Sequence, residues 1–265
     1  MLTILREHKG FGSQIWKLAR LELKKRFQGT FFGSAWAVID PLFTLIIFWF
    51  AFSIGLRAGG EVNGVSFFLF LMVGLVPWFF IKDMINKGSA SIRSHSQFVT
   101  KINFPVSTIF TFTGLSYLMV HVFLLGLVYL YLLLTGNAPS LYNLQIFFYA
   151  PLMALFFLAM SWTTATWVAF SKDLRTLIRS VMTGVFWFSG IIWNSYDLEI
   201  VWLQKVMLFN PVTFIVNGYR KTFLYNEWFW ESPIETYAFL GMLVVVVVFG
   251  AYNYTRLRKE MADVL

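Results

Sequence analysis

Three histidines, His8, His95 and His121, and thirteen Asp/Glu are the groups with which this 265-residue chain could hold a metal or move protons. The histidines have no metal-ligand spacing. The chain contains no His-Glu-x-x-His pair, no Gly-x-Ser-x-Gly elbow and no Gly-x-x-x-x-Gly-Lys-Ser/Thr phosphate loop. It has no cysteine, which removes disulfides, thiolate metal sites, cysteine nucleophiles and palmitoylation. Glu61, Asp197, Glu199, Glu227, Glu231 and Glu235 fall in polar loop sequence, where carboxylates are ordinarily solvated; an intramembrane glycan transferase built on them is the distant alternative. Neither a catalytic set nor a metal set is assigned.

The elements that must carry these residues are membrane helices. From Ile102 to Ser171 there is no Lys, Arg, Asp or Glu, and only Thr135–Ser140 reads as a turn. That much unbroken apolar sequence fits two helices threading a bilayer as a hairpin. Hydrophobic residues make up 58% of the chain, charged residues 13%, and the mean hydropathy is +0.68, all outside the soluble globular range. The net charge of +8 is carried beside the apolar segments, which points to anionic lipid rather than nucleic acid. Six spans are expected near Ala35–Leu56, Val65–Ile81, Val106–Leu134, Ile146–Phe170, Ser180–Tyr196 and Thr236–Thr255. This gives one all-α membrane domain over residues 1–265, with a cytoplasmic amphipathic segment 1–34, a bundle 35–255 and a tail 256–265. Of 21 Lys/Arg, 17 fall on the side of the two termini, so both termini are assigned to the cytoplasm; the first 34 residues read as no cleavable leader.

Ionisable groups inside spans are sparse. Asp40 precedes Pro41 and is read as capping the first span; His121 lies in the third and is read as satisfied by a neighbouring helix. A proton relay cannot be built from so little, so transport would need energy from a separate subunit. The segment Lys82–Lys101, rich in short polar side chains, offers a place for such a subunit to act. Upstream, Ile15, Trp16, Ala19, Leu23 and Phe27 form one helical face beside Lys17, Arg20 and Lys24, as in a helix lying among headgroups. Between spans five and six, Val206–Tyr219 is uncharged but short and broken at Asn210-Pro211, which favours a re-entrant external helix pair.

Three blocks together carry a resemblance. They are Leu18-Ala-Arg-Leu-Glu-Leu-Lys-Lys-Arg-Phe27 with Gly33-Ser-Ala-Trp36 and Asp40-Pro41; Val62-Asn-Gly-Val-Ser-Phe67 through Pro77-Trp-Phe-Phe80 to Val99-Thr-Lys-Ile-Asn-Phe-Pro105; and Phe209-Asn-Pro-Val-Thr213 with Gly218-Tyr-Arg220. Over nearly its whole length the chain resembles the permease subunits of type-2 ABC exporters for surface polysaccharides, most closely those for teichoic acid. Asp40 stands where the family pattern has an amide residue.

The resemblance implies a permease homodimer in a bacterial cytoplasmic membrane, joined to two nucleotide-binding subunits that hold ATP and magnesium, with no cofactor in this chain. The cargo would be wall teichoic acid on polyprenyl pyrophosphate, with O-antigen or capsular polysaccharide as the alternative. It places ATPase coupling on Lys87, Ser89, Ser91, Arg93, Ser94, His95, Ser96 and Lys101, joined by Lys172, Asp173 and Arg175. Trp78, Trp162, Trp167, Trp187 and Trp193 either line a sugar path or pack between helices. Arg220 either meets pyrophosphate or anchors at headgroups, and Asn210-Pro211 marks an external gate.

Overall fold

The structure, a computed structural model, describes residues 1–55, 60–100, 104–136 and 139–264. Lys101, expected in the coupling segment, lies outside the described residues, as does Arg57. Two helices open the chain, α1 (Leu2–His8) and α2 (Gly12–Arg26). Next comes a 3-10 turn, then α3 (Trp36–Trp49) and a π-helical turn Phe50–Gly55. A two-stranded ribbon, β1 (Glu61–Val62) against β2 (Val65–Ser66), turns the chain into α4 (Phe67–Gly88). Short α5 (Ser91–Ser94) and α6 (Ser96–Thr100) lead to α7 (Ser107–Leu134) and α8 (Ile146–Phe170). The remainder is α9 (Lys172–Phe188), α10 (Val201–Leu208), α11 (Pro211–Arg220), α12 (Pro233–Leu257) and α13 (Met261–Val264).

Among the described residues five helical segments are long and apolar enough to cross a membrane: Gly33–Gly55, Phe67–Gly88, Ser107–Leu134, Leu141–Phe170 and Pro233–Leu257. The chain is an all-α membrane protein. Four of the expected spans match these closely. The second helix runs seven residues past its expected end, to Gly88, which brings Lys82 and Asp83 into its last turns. The expected span Ser180–Tyr196 is not a single helix: α9 begins at Lys172 and stops at Phe188, and Gly190 turns the chain with φ +66°. Asp40 does not cap α3 either. The helix has already started at Trp36, and the exposed Asp40 lies inside it, its carbonyl accepting from Thr44 Oγ1 at 3.0 Å.

α4 is the central post, buried along most of its length by α7, α8 and α11, whereas little of the first span is buried. In lipid, helix association is driven by close packing rather than by expulsion of water, so small residues let backbones approach. Gly250 of α12 lies against Ala159 of α8 so closely that a Cβ there would be 2.5 Å from the Ala159 carbonyl. The core between α4, α8, α11 and α12 is aromatic, with Phe214 and Phe239 stacked at 4.3 Å between centroids. His121 Nε2 lies 2.7 Å from the Tyr219 hydroxyl, so a neighbouring helix partners one of its two ring nitrogens, while the buried Nδ1 has no well-formed hydrogen bond among the described residues.

Candidate functional site at the charged end of the bundle

The connections at the two ends of the helices separate cleanly. At one end α1 packs on α7 and α12, α5 on α8, and α13 on α6 and α8, so both termini share that end with the 88–107 and 170–172 connections. Glu7 ties it together. Its Oε2 accepts from the Tyr254 hydroxyl at 2.6 Å and from the Ser107 backbone N–H at 3.1 Å, and its Oε1 pairs with Arg258. A carboxylate suits this place, because Ser107 opens α7 and its N–H has no partner within the helix.

α2 lies across the same end against α7. The stripe facing the bundle is Ile15, Ala19, Glu22 and Arg26, each one turn from the last. Ile15 and Ala19 pack on Ile109 and Phe112; Arg26 donates to Ser116 Oγ at 3.1 Å and lies 3.8 Å over the Tyr117 ring. Trp16 is 42% exposed and covered by Arg20 at 4.9 Å, and Lys17, Arg20 and Lys24 are all exposed. The three cations thus lie on the open side of α2, and Trp16 belongs to the outer face rather than to the face that packs.

The segment after α4 divides into covered and open residues. Ser89 and Ser91 are buried at 1% exposure each, so their hydroxyls cannot fill a partner's groove. Lys87 and Ser94 are exposed; Arg93, His95 and Ser96 are half-buried. Arg93 turns inward, donating from Nε to the Val168 carbonyl and from Nη2 to that of Ala169, both at 2.7 Å. It thus caps the C-terminal end of α8, where carbonyls lack intrahelical donors and the dipole favours a cation.

His95 Nδ1 lies 2.9 Å from the Ser91 carbonyl and Nε2 lies 3.1 Å from Glu22 Oε2. Two oxygen acceptors on the two ring nitrogens select the doubly protonated imidazolium. Burial opposes that charge, but the Glu22 hydrogen bond, the Ser91 carbonyl and the Glu22 charge outweigh it, and the His95 pKa is raised. Glu22 is correspondingly lowered, chiefly by the same hydrogen bond. Lys172 and Asp173 are exposed at the start of α9 with Arg175 half-buried, beside the α8 end that Arg93 caps.

At the other end, Asn210 and Pro211 start α11: the Asn210 Oδ1 accepts from the backbone of Val212 (3.0 Å) and Thr213 (3.3 Å), and Pro211 needs no donor there. Two short helices, α10 and α11, meet at the expected break. Arg220 is fully buried. It donates to the carbonyls of Gly190 (2.7 Å), Ile191 (2.7 Å) and Trp193 (3.3 Å), and its guanidinium lies 3.7 Å from the centre of the Phe70 ring. Its forked donors therefore serve main chain; this is what draws residues 190–193 away from helical pairing. Neither pyrophosphate nor a headgroup reaches it in this conformation. Lys221 beside it pairs with Glu235 at 3.0 Å.

Of the five tryptophans singled out, Trp78 and Trp162 are buried between helices, Trp167 and Trp187 are exposed on the bundle's flank, and half-buried Trp193 donates to the Trp187 carbonyl at 2.9 Å. Glu7, Glu22, Lys82 and Asp83 were not legible as site residues. Only Glu22 left a trace, as an acid on the Ile15–Ala19 stripe.

A bundle of long apolar helices, with an amphipathic helix across its charged end and polar connecting segments gathered there, defines a multi-pass integral membrane protein. The chain belongs to the ABC-2 type transporter family, whose pattern matches residues 13–224, from α2 through the turn that follows α11. It is 23% identical over 262 residues to the O-antigen export system permease protein RfbA of Myxococcus xanthus, covering 98% of each chain. Two proteins of the same description from Klebsiella pneumoniae are 23% and 24% identical over 255 and 252 residues, covering 92% of both chains in each case.

Proposed function

We propose that this chain is the membrane-spanning subunit of an ATP-driven exporter that carries a lipid-linked surface polysaccharide across a bacterial cytoplasmic membrane. The observation that carries the reading is the family match, which runs unbroken through α2, the α5–α6 segment and α11. The relatives over nearly the full length are described as O-antigen export permeases, and this favours an O-antigen type of cargo over the wall teichoic acid that the sequence blocks suggest. A charged pyrophosphate crossing bare hydrocarbon would cost on the order of tens of kcal/mol, so the passage must be polar or enclosed.

In this reading the charged end faces the cytoplasm, where 17 of 21 Lys/Arg fall, and α5–α6 with the start of α9 receives the ATPase through Lys87, Ser94, Ser96, Lys172 and Asp173. α9 and the turn behind it supply the sixth crossing, and α10–α11 form a re-entrant pair, α11 being about 15 Å long and too short for a span. Two copies complete the passage; the exposed Phe43, Ile46, Ile47 and Phe50 of the first span are apolar surface suited to a second subunit. Proteoliposomes holding this chain and its ATPase should give ATP-dependent protection of an O-antigen-type polyprenyl-linked glycan. Transport of a polyol-phosphate polymer alone would reassign the cargo, and transport of neither would remove the reading.

A further inference from the structure

Four charged side chains line one cavity of about 370 Å³ where the end of α2 meets α3, α4 and α7: Arg26, Asp40, Lys82 and Asp83, with Thr30 and Tyr117 beside them. Among the described residues none of the four forms an ion pair with another or with any other side chain. Arg26 spends only Nη2, on Ser116, and keeps Nε and Nη1 without a protein partner. Opposite charges that face one space without closing on each other are arranged for a ligand that carries both signs.

The four charges stand among apolar walls that include Phe27, Trp36 and Phe80, and the cavity adjoins a narrow apolar cleft that shares Pro41, Phe79 and Leu124 with it and continues along Leu45, Met72 and Leu127. Charged groups set among apolar walls beside a membrane-facing helix fit the headgroup of an amphiphile whose chains remain in the surrounding lipid. We infer that this chamber binds a zwitterionic phospholipid of the ethanolamine class, its phosphodiester on Arg26 and Lys82 and its primary ammonium on Asp83 and Asp40. The lining has two cations and two carboxylates. A pyrophosphate would meet as much negative as positive charge there, whereas a zwitterion satisfies both. The inference does not depend on the cargo.

The test uses the purified, delipidated full-length chain and short-chain phosphatidylethanolamine, phosphatidylcholine and phosphatidylglycerol, with binding read by native mass spectrometry. Choline cannot donate a hydrogen bond to a carboxylate and glycerol carries no cation, so ethanolamine should bind about tenfold more tightly than either, the worth of one charge-assisted hydrogen bond. Asp83→Asn should bring ethanolamine down to the phosphatidylcholine level while leaving phosphatidylglycerol unchanged, and Arg26→Gln should weaken all three. Equal binding of the three lipids by the unaltered chain overturns the proposal, as does an Asp83→Asn variant that keeps the preference. A polyprenyl pyrophosphate that displaces phosphatidylethanolamine at lower concentration also overturns it, and makes the chamber a substrate site instead.

Discussion

Arg93 and Arg220 show how far a residue's type underdetermines its task. Both sit in segments where a partner or a phosphate was expected, and both spend their donors on carbonyls of their own chain. A guanidinium offers several fixed donors, and at a helix end or a tight turn the nearest unsatisfied acceptors are main chain. Sequence shows the arginine but not the carbonyls 75 positions or 30 positions away. Replacing Arg93 with Gln should lower the stability of the detergent-solubilised chain by about 1–3 kcal/mol, read in denaturant or thermal unfolding. An unchanged unfolding curve would show that the α8 cap is not formed in solution. Arg220→Lys should fail to restore what Arg220→Ala loses, because one ammonium cannot reach three carbonyls; the loss, about 3 kcal/mol, should appear in unfolding as well as in export. Export lost with unfolding untouched would return Arg220 to the cargo.

At the scale of elements, the long apolar helices were legible because the bilayer demands about 20 apolar residues and leaves charge nowhere else to go. The short elements were not. That α2 is a helix follows from its period, but the face read as meeting lipid is split, Ile15 and Ala19 packing on α7 while Trp16 stays outside, and Trp16 suits a lipid interface as well as it suits a core. α9 ends early for a reason stored in α11, where Arg220 sits, and no local signal in residues 180–196 reports it apart from Gly190.

The same scale carries two predictions. Gly250→Ala should cost about 1–3 kcal/mol, because the added methyl meets the Ala159 backbone and α8 and α12 must part; α12 that tolerates alanine without loss would mean the helices are not in this contact. The joint between α2 and the α5–α6 segment should depend on pH through Glu22 and His95. His95 is raised above its ordinary 6.5, so its contribution is complete below that value and lost as pH rises through the raised pKa. Glu22 is lowered from 4.5, so its contribution holds above that value and is lost as pH falls through the lowered pKa. Protection of the 88–100 backbone from hydrogen exchange, corrected for intrinsic rates, should be greatest between those two values and weaken on the alkaline side. His95→Gln should flatten the alkaline limb; a profile that survives the substitution unchanged assigns the dependence elsewhere.

For the whole molecule, the structure puts both termini, the 88–107 connection and the 170–172 connection at one end. Cysteines introduced singly at the exposed Ser94 and the exposed Leu141 of this cysteine-free chain should react with an impermeant maleimide from opposite faces of the membrane, and Ser94 only from the cytoplasm. Reaction of both from one face would break the arrangement of α7 and α8 as a hairpin.

The Glu7 junction has a consequence in time as well as in space. The Tyr254 hydroxyl that Glu7 accepts from is made 247 residues later. At ribosomal speeds of about 5–20 residues per second, Glu7 waits roughly 12–50 s before this partner on α12 exists, although its Ser107 partner on α7 is made much sooner. Glu7 can therefore take its Ser107 partner on α7 well before Tyr254 and Arg258 are made, and the junction closes in two stages. Closing of the second stage therefore reports that synthesis has reached the final span.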